Sequence, residues 1–196
     1  FDLAGKTLGV VGTGQIGQHV IRIARGFGMK ILAYDLLPDK TWGVDYVDLP
    51  YLLKESDIVT LHVPGGKDTL HMIGAPEFSL MKKGSVLINT ARGSVVDVEA
   101  LAEALASGHL RAAGLDVLPD EPTIKEEAEL LRAVLHEKHD LKTLLINHVL
   151  LRMKNVFITP HSAFNTKEAI GRILEVTDKN IRGFISGAVC NRVVPS

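Results

Sequence analysis

The sequence contains one cysteine, no block of like charges and no long apolar run. The lone Cys190 excludes an internal disulfide and fits a reducing compartment such as the cytoplasm. Near the C-terminus it reads as a small buried hydrophobe. A formal net charge of -1, from 22 basic and 23 acidic residues, leaves no footprint for nucleic acid or an anionic membrane surface. A membrane span needs roughly 18 consecutive apolar residues, and no stretch reaches that length. There is no nucleophile elbow, phosphate-binding lysine loop or cysteine pair. His136-Glu137-Lys138-His139 lacks the i, i+4 histidine pair of the zinc proteases and reads as a solvated helix face, so no metal site is expected. The chain opens on Phe1-Asp2-Leu3-Ala4-Gly5, with neither an initiator methionine nor a signal peptide, and is expected to be a piece of a longer protein.

What is present is 196 residues of ordinary globular composition, 46% hydrophobic and 23% charged, enough for one sizeable core. Its most informative stretch is Val10-Val11-Gly12-Thr13-Gly14-Gln15-Ile16-Gly17, followed by the helical spacing Val20, Ile21, Ala24, Phe27. A buried strand turning sharply into a helix leaves free N–H groups that face a pyrophosphate. Gly12 permits the turn, Gly14 lets the backbone approach phosphate, and Gly17 lets the helix pack close. A lone G-x-G-x-x-G arises for steric reasons alone. Here, however, Lys30 to Tyr34 reads as a second strand and ends at Asp35, at about the 20-residue spacing of an acid that receives a ribose hydroxyl. Asp35 would repel a 2′-phosphate, and Leu36-Leu37 offer no cation to receive one, so NAD is expected over NADP.

Apolar runs of strand length recur along the chain: Thr7 to Val11, Lys30 to Tyr34, Ile58 to His62, Ser85 to Asn89, Ala112 to Val117 and Asn155 to Thr159. They are nearly continuous rather than alternating, as for parallel strands buried on both faces. Helices are predicted over Ile16 to Phe27, Leu49 to Glu55, Ala75 to Met81, Val98 to Ser107 and Lys167 to Ser186. Asp97 would cap the fourth, which ends before Gly108, and Asn165 with Glu168 suggests a capping box for the last. The segment Ile124 to Arg152 is helical by composition, with a break near His139-Asp140. This alternation predicts an α/β doubly wound parallel sheet of Rossmann type with right-handed crossovers.

Ligands of open α/β sheets bind beyond the carboxyl ends of the strands. Three chemically complementary residues follow such ends: Arg92 after Asn89, Glu121 after the strand that leads to Asp116, and His161 after Thr159. A guanidinium can hold a carboxylate in bidentate fashion. A carboxylate beside a histidine favours the imidazolium and orients the ring for proton transfer. Taken singly, each has an ordinary structural explanation as a surface ion-pair partner, a loop acid or a helix-entry residue. Their joint placement favours a site.

Gly5 to Gly17, Leu61-His62-Val63-Pro64, Asn89-Thr90-Ala91-Arg92-Gly93, Gly114-Leu115-Asp116-Val117, Asp120-Glu121-Pro122 and Thr159-Pro160-His161-Ser162-Ala163 resemble, in order, the NAD-binding domain of the D-isomer-specific 2-hydroxyacid dehydrogenases. The resemblance covers nearly the whole chain. It implies that Arg92 binds a substrate carboxylate, that Glu121 hydrogen-bonds His161, and that His161 shuttles the proton at the C2 oxygen of a small 2-keto or 2-hydroxy acid. It places NAD against Gly12, Gly14, Gln15, Ile16 and Gly17, with Asp35 on the adenosine ribose. His62, Val63, Pro64, Thr90, Ala91, Arg92, Asp116 and His161 would lie towards the nicotinamide. It also implies a homodimer, and the segment Ile124 to Arg152, rich in Leu and Val, offers more apolar residues than a solvated loop needs and is expected to supply part of the contact. Residues 1–196 would be the NAD-binding domain, its last helix and tail leading to a separate substrate domain missing from the chain. Gly65-Gly66-Lys67 replaces bulkier family residues and is expected to loosen the nicotinamide pocket, and Ile124 to Arg152 is longer than the family norm. Glyoxylate or hydroxypyruvate reduction is an alternative to lactate-like substrates. An NAD-sensing module like the corepressors of this fold is an alternative of another class. Formate dehydrogenase chemistry is disfavoured, since it needs no acid–base carboxylate.

Overall fold

The computed structural model describes residues 1–119, 141–162, 165–188 and 190–191. The chain divides into two compact units, the first Phe1–Pro160 and the second beginning at His161. The first holds a seven-stranded sheet in the order β3-β2-β1-β4-β5-β6-β7. Its strands are β1 (Thr7–Val11), β2 (Lys30–Tyr34), β3 (Asp45–Tyr46), β4 (Ile58–Leu61), β5 (Ser85–Asn89), β6 (Leu110–Leu115) and β7 (Val156–Ile158). Every ladder is parallel. Strand order reverses between β1 and β4, so the fingerprint turn and His62 leave the sheet side by side at the topological switch point.

The central strands β1, β4 and β5 are mostly apolar and buried, because both faces of the sheet meet helices there. On one face Leu8, Val10 and Ile58 pack with Ile21 and Ala24 of α1 (Gln15–Gly26). On the other, Val11, Val59, Leu61, Leu87 and Leu115 join residues of α2 (Leu49–Glu55), α3 (Ala75–Leu80) and α4 (Val98–Ala106) in the larger core. Leu150, fully buried on α5 (Leu141–Arg152), completes that core. Caps fix where the helices start. Asp48 accepts from the Tyr51 N–H at 2.7 Å to begin α2, and Asp97 accepts from Glu99 and Ala100 to begin α4.

Three departures from the sequence reading have local causes. β3 was not predicted, because its two residues carry no apolar run. Strand β6 starts at Leu110 and stops at Leu115, where the Asp116 N–H turns to the Asn89 carbonyl at 2.9 Å. In the second unit, α6 (Lys167–Ile185) is capped by Thr166, whose hydroxyl accepts from the Ala169 N–H at 3.1 Å. The expected capping residue, Asn165, instead donates its own N–H to the Ser162 carbonyl. Within Ile124 to Arg152, α5 is observed, whereas the expected break near His139-Asp140 lies outside the described residues. Among the described residues no helix is long and apolar enough to cross a membrane, and no three His, Cys, Asp or Glu residues group as metal ligands.

Candidate dinucleotide site

The fingerprint turn is shaped by what its glycines leave out. Gly12 adopts φ +91°, and a Cβ there would meet the His62 carbonyl oxygen at 2.7 Å. A Cβ on Gly17 would strike the Gly12 carbonyl, so α1 can approach the turn only without one. Gly14 is different, since a Cβ would meet no protein atom within 4 Å. The protein itself therefore does not demand glycine at that position, which fits space left for a ligand. Gly14 is also the N-cap of α1 and gives its first turn neither a side-chain cap nor an acid. The exposed N–H groups of a 12-residue helix remain available to an anion.

Asp35, beyond the end of β2, is tied to this turn. Its Oδ2 accepts from the Thr13 N–H at 2.6 Å and the Thr13 hydroxyl at 2.9 Å, and its Oδ1 accepts from the Leu37 N–H at 2.9 Å. Partial burial pushes the carboxyl upward, but the donors from Leu37, Thr13 and Leu36 outweigh it and hold Asp35 below its ordinary value of 3.8. It is an ionised acceptor at neutral pH, as contact with a ribose hydroxyl requires. Leu36 and Leu37 beyond it are exposed and bring no cation. An uncapped helix start, a glycine with open space and an ionised carboxylate together fit the dinucleotide expected from the sequence.

At the switch point, His62 lies between two hydroxyls. Its Nε2 is 3.0 Å from Thr60 Oγ1 and its Nδ1 is 3.5 Å from Thr90 Oγ1. Burial drives its pKa from 6.5 down to about 4, so the ring is neutral at physiological pH. Val63 packs against the larger core, and Pro64 is exposed after it.

Beyond β5, the buried Asn89 builds the next turn. Its Oδ1 accepts from the Ala91 N–H at 3.0 Å, and its Nδ2 donates to the Arg92 carbonyl at 3.0 Å. Thr90 and Arg92 are exposed on this turn, while Ala91 is buried. The Arg92 guanidinium donates to the Ala91 carbonyl at 2.7 Å. Gly65 packs against the Arg92 stem, where a Cβ would lie 2.9 Å from Arg92 Cγ. Asp116, 7% exposed, accepts from the Thr159 hydroxyl, which joins the carboxyl ends of β6 and β7. Asn147 of α5 donates to the Pro119 carbonyl at 2.9 Å and fixes the chain beyond Asp116.

The first unit thus brings together the fingerprint turn, Asp35, His62, Thr90, Arg92 and Asp116 at one edge of the sheet. His161 opens the second unit, exposed and with φ +50°, a left-handed conformation uncommon outside glycine. Glu121 lies outside the described residues. The sequence reading missed Asn89 and Thr159 as builders of the site. Both stand at predicted strand ends, and that position was the available signal.

The family described as D-isomer specific 2-hydroxyacid dehydrogenase, NAD binding domain, matches residues 1–163. The chain is 42% identical over 193 residues to a glyoxylate reductase of Thermococcus litoralis, covering 96% of this chain and 52% of that protein. It is 43% identical over 180 residues to a hydroxypyruvate reductase of Thermotoga maritima, covering 91% of this chain and 53% of that protein. A crystal structure of D-lactate dehydrogenase from Aquifex aeolicus, complexed with NAD and lactic acid, superposes with a TM-score of 0.86 at 41% identity, covering 96% of this chain and 56% of that one. The chain therefore spans about half the length of the curated relatives it matches.

Proposed function

The chain belongs to the D-isomer specific 2-hydroxyacid dehydrogenases through their NAD-binding domain, and from that premise we propose that it is the cofactor half of an enzyme moving a hydride between NAD(H) and a small D-2-hydroxy acid/2-keto acid pair. The observation that carries this reading is Arg92, an exposed guanidinium on a turn built by a buried asparagine, at the same sheet edge as the fingerprint. It is a ready anchor for a substrate carboxylate. When bound, NADH would supply the hydride.

The chain's own residues then have distinct roles. Gly12, Gly14, Gln15, Ile16 and Gly17 cradle the pyrophosphate, and Asp35 receives the adenosine ribose. His62, Val63, Pro64, Thr90, Ala91 and Asp116 line the nicotinamide end. Arg92 orients the keto acid by its carboxylate. His161 donates a proton to the C2 oxygen during reduction and takes it back during oxidation, with Glu121 as its partner. Residues 1–196 act as the NAD-binding domain, and a separate substrate domain supplies the opposing wall. Glyoxylate, hydroxypyruvate and pyruvate are the substrates to try first. The names of the relatives support the first two, and the D-lactate dehydrogenase structure supports the third.

The test is NADH-dependent reduction of these acids by a full-length protein carrying this chain. His161→Ala should lower turnover about 10²- to 10⁴-fold, the scale of a lost general acid, while NAD still binds. Glu121→Gln should lower it less. Binding of NAD without reduction of any of the three acids would favour the NAD-sensing module instead.

The reading extends to a cytoplasmic homodimer. The single cysteine supports a reducing compartment. Leu145, Val149 and Leu151 of α5 are 65%, 48% and 45% exposed and support an apolar contact between copies. A monomer by light scattering at high protein concentration would overturn the dimer.

A further inference from the structure

Strand β3 is two residues long, yet its one aromatic side chain is committed to the fingerprint. Tyr46 pairs with Ala33 of β2, and its phenol reaches the Thr13 hydroxyl at 3.0 Å. Thr13, 4% exposed, sits between Gly12 and Gly14 and is in turn bonded to Asp35 by both N–H and hydroxyl. The direction of these bonds follows from proton counting. An ionised carboxylate only accepts, so the single Thr13 hydroxyl proton points to Asp35. The Thr13 oxygen must then accept from Tyr46, whose phenol has a proton to give. The chain therefore runs one way, from Tyr46 to Thr13 to Asp35, and each bond polarises the next.

The geometry has a chemical consequence for Asp35. Oδ2 is occupied by the two Thr13 donors, and Oδ1 holds the Leu37 N–H with acceptor capacity to spare. A ligand hydroxyl can donate to that oxygen. A phosphate ester at the same place has no hydroxyl proton to offer and carries like charge. We propose that Tyr46 is a specificity-determining positioning residue, which through Thr13 holds the Asp35 carboxylate in the orientation that selects a dinucleotide with a free adenosine 2′-hydroxyl over its 2′-phosphorylated form. This rests on the reading that Asp35 meets the adenosine ribose.

Calorimetric titration of the chain with NAD, NADP and the NAD analogue lacking the adenosine 2′-hydroxyl tests the proposal. Tyr46→Phe keeps the ring and should weaken NAD about threefold to tenfold, the scale of one hydrogen bond. NADP affinity should hardly move, so discrimination narrows by that factor. The 2′-deoxy analogue should bind Tyr46→Phe and the parent sequence alike. On an Asp35→Ala background, Tyr46→Phe should have no further effect on NAD. Thr13→Val should reproduce the Tyr46→Phe pattern, and Thr13→Ser, which keeps the hydroxyl, should retain discrimination. Equal losses for NAD and the 2′-deoxy analogue, or an undiminished loss on the Asp35→Ala background, would overturn the role of Tyr46 while leaving Asp35 in place. If Asp35→Ala itself left NAD affinity unchanged, the ribose reading would fall and the proposal with it.

Discussion

At the β1–β2 end of the sheet's carboxyl edge, the candidate cofactor groups are mostly backbone or bonded by it: the α1 N–H groups, the Gly12 turn, and an Asp35 carboxylate that accepts from the Thr13 and Leu37 N–H groups besides the Thr13 hydroxyl. At the β5–β7 end they are side chains on turns that other side chains build, with Asn89 shaping the loop of Arg92 and Thr159 bonding Asp116. The first arrangement suits a ligand that seldom changes, because its peptide groups cannot be exchanged by mutation and only the Thr13 and Tyr46 side chains behind Asp35 can. The second suits chemistry that differs between relatives, since one substitution alters one contact. A fold can thus keep its cofactor fixed while its substrate varies.

Arg92, on the β5–β7 end, should show the largest effect. In a full-length protein, Arg92→Ala should cut kcat/KM for a keto acid about 30-fold to several thousand-fold, the scale of truncating one partner of a charge-assisted pair. NAD affinity should change little, because the β1–β2 end needs no help from this side chain. Steady-state kinetics beside NAD titration separates the two effects. An equal fall in NAD affinity would mean the two ends are not independent.

A smaller effect should divide the fingerprint glycines. A Cβ on Gly17 meets the Gly12 carbonyl, which cannot move without dragging the turn. Gly17→Ala should therefore destabilise the chain by about 1–3 kcal/mol in urea unfolding and weaken NAD binding as well. Gly14→Ala should leave the unfolding midpoint nearly unchanged, because its Cβ meets no protein atom, yet still weaken NAD. If Gly14→Ala bound NAD normally, the open space beside Gly14 would not be the phosphate approach.

Strands β1, β2 and β5 have the predicted bounds, β1 and β5 as largely buried apolar runs and β2 as an apolar run only partly buried, with Ala33 its one buried residue. The fingerprint and Asp35 were legible because they follow those strands at fixed spacing. Tyr46 was not legible, since β3 has no hydrophobic pattern and its phenol finds Thr13 only after the strand has paired beside β2. Nor was the bond between Thr159 and Asp116, which are 43 residues apart and meet only because β7 adds beside β6, with Leu115 opposite Ile158. Sequence spacing located the edge, but strand order decided which side chains became neighbours along it. Asn165 shows the same limit locally, as the spacing to Glu168 marked it as the cap while its N–H bonds the Ser162 carbonyl and Thr166 caps the helix.

The effect of His62 should be felt only on acidification. Its imidazole is held between Thr60 and Thr90, and burial lowers its pKa to about 4. The folded-state value lies below the unfolded value of about 6.5, so between these two values the unfolded chain binds more protons than the folded one. Stability must therefore rise with pH through that window and be lost as pH falls through it. Between about pH 7.5 and about pH 5 the loss assigned to this one group is about 2 kcal/mol. Urea unfolding at the two pH values should show that loss in the parent sequence, and His62→Asn should remove that share of it while keeping a polar side chain between the hydroxyls. NAD titration above pH 6.5 should show no step assignable to His62, because the ring is neutral there with or without ligand. If His62→Asn lost the same stability on acidification as the parent sequence, His62 would not be held as a neutral, half-buried ring between Thr60 and Thr90.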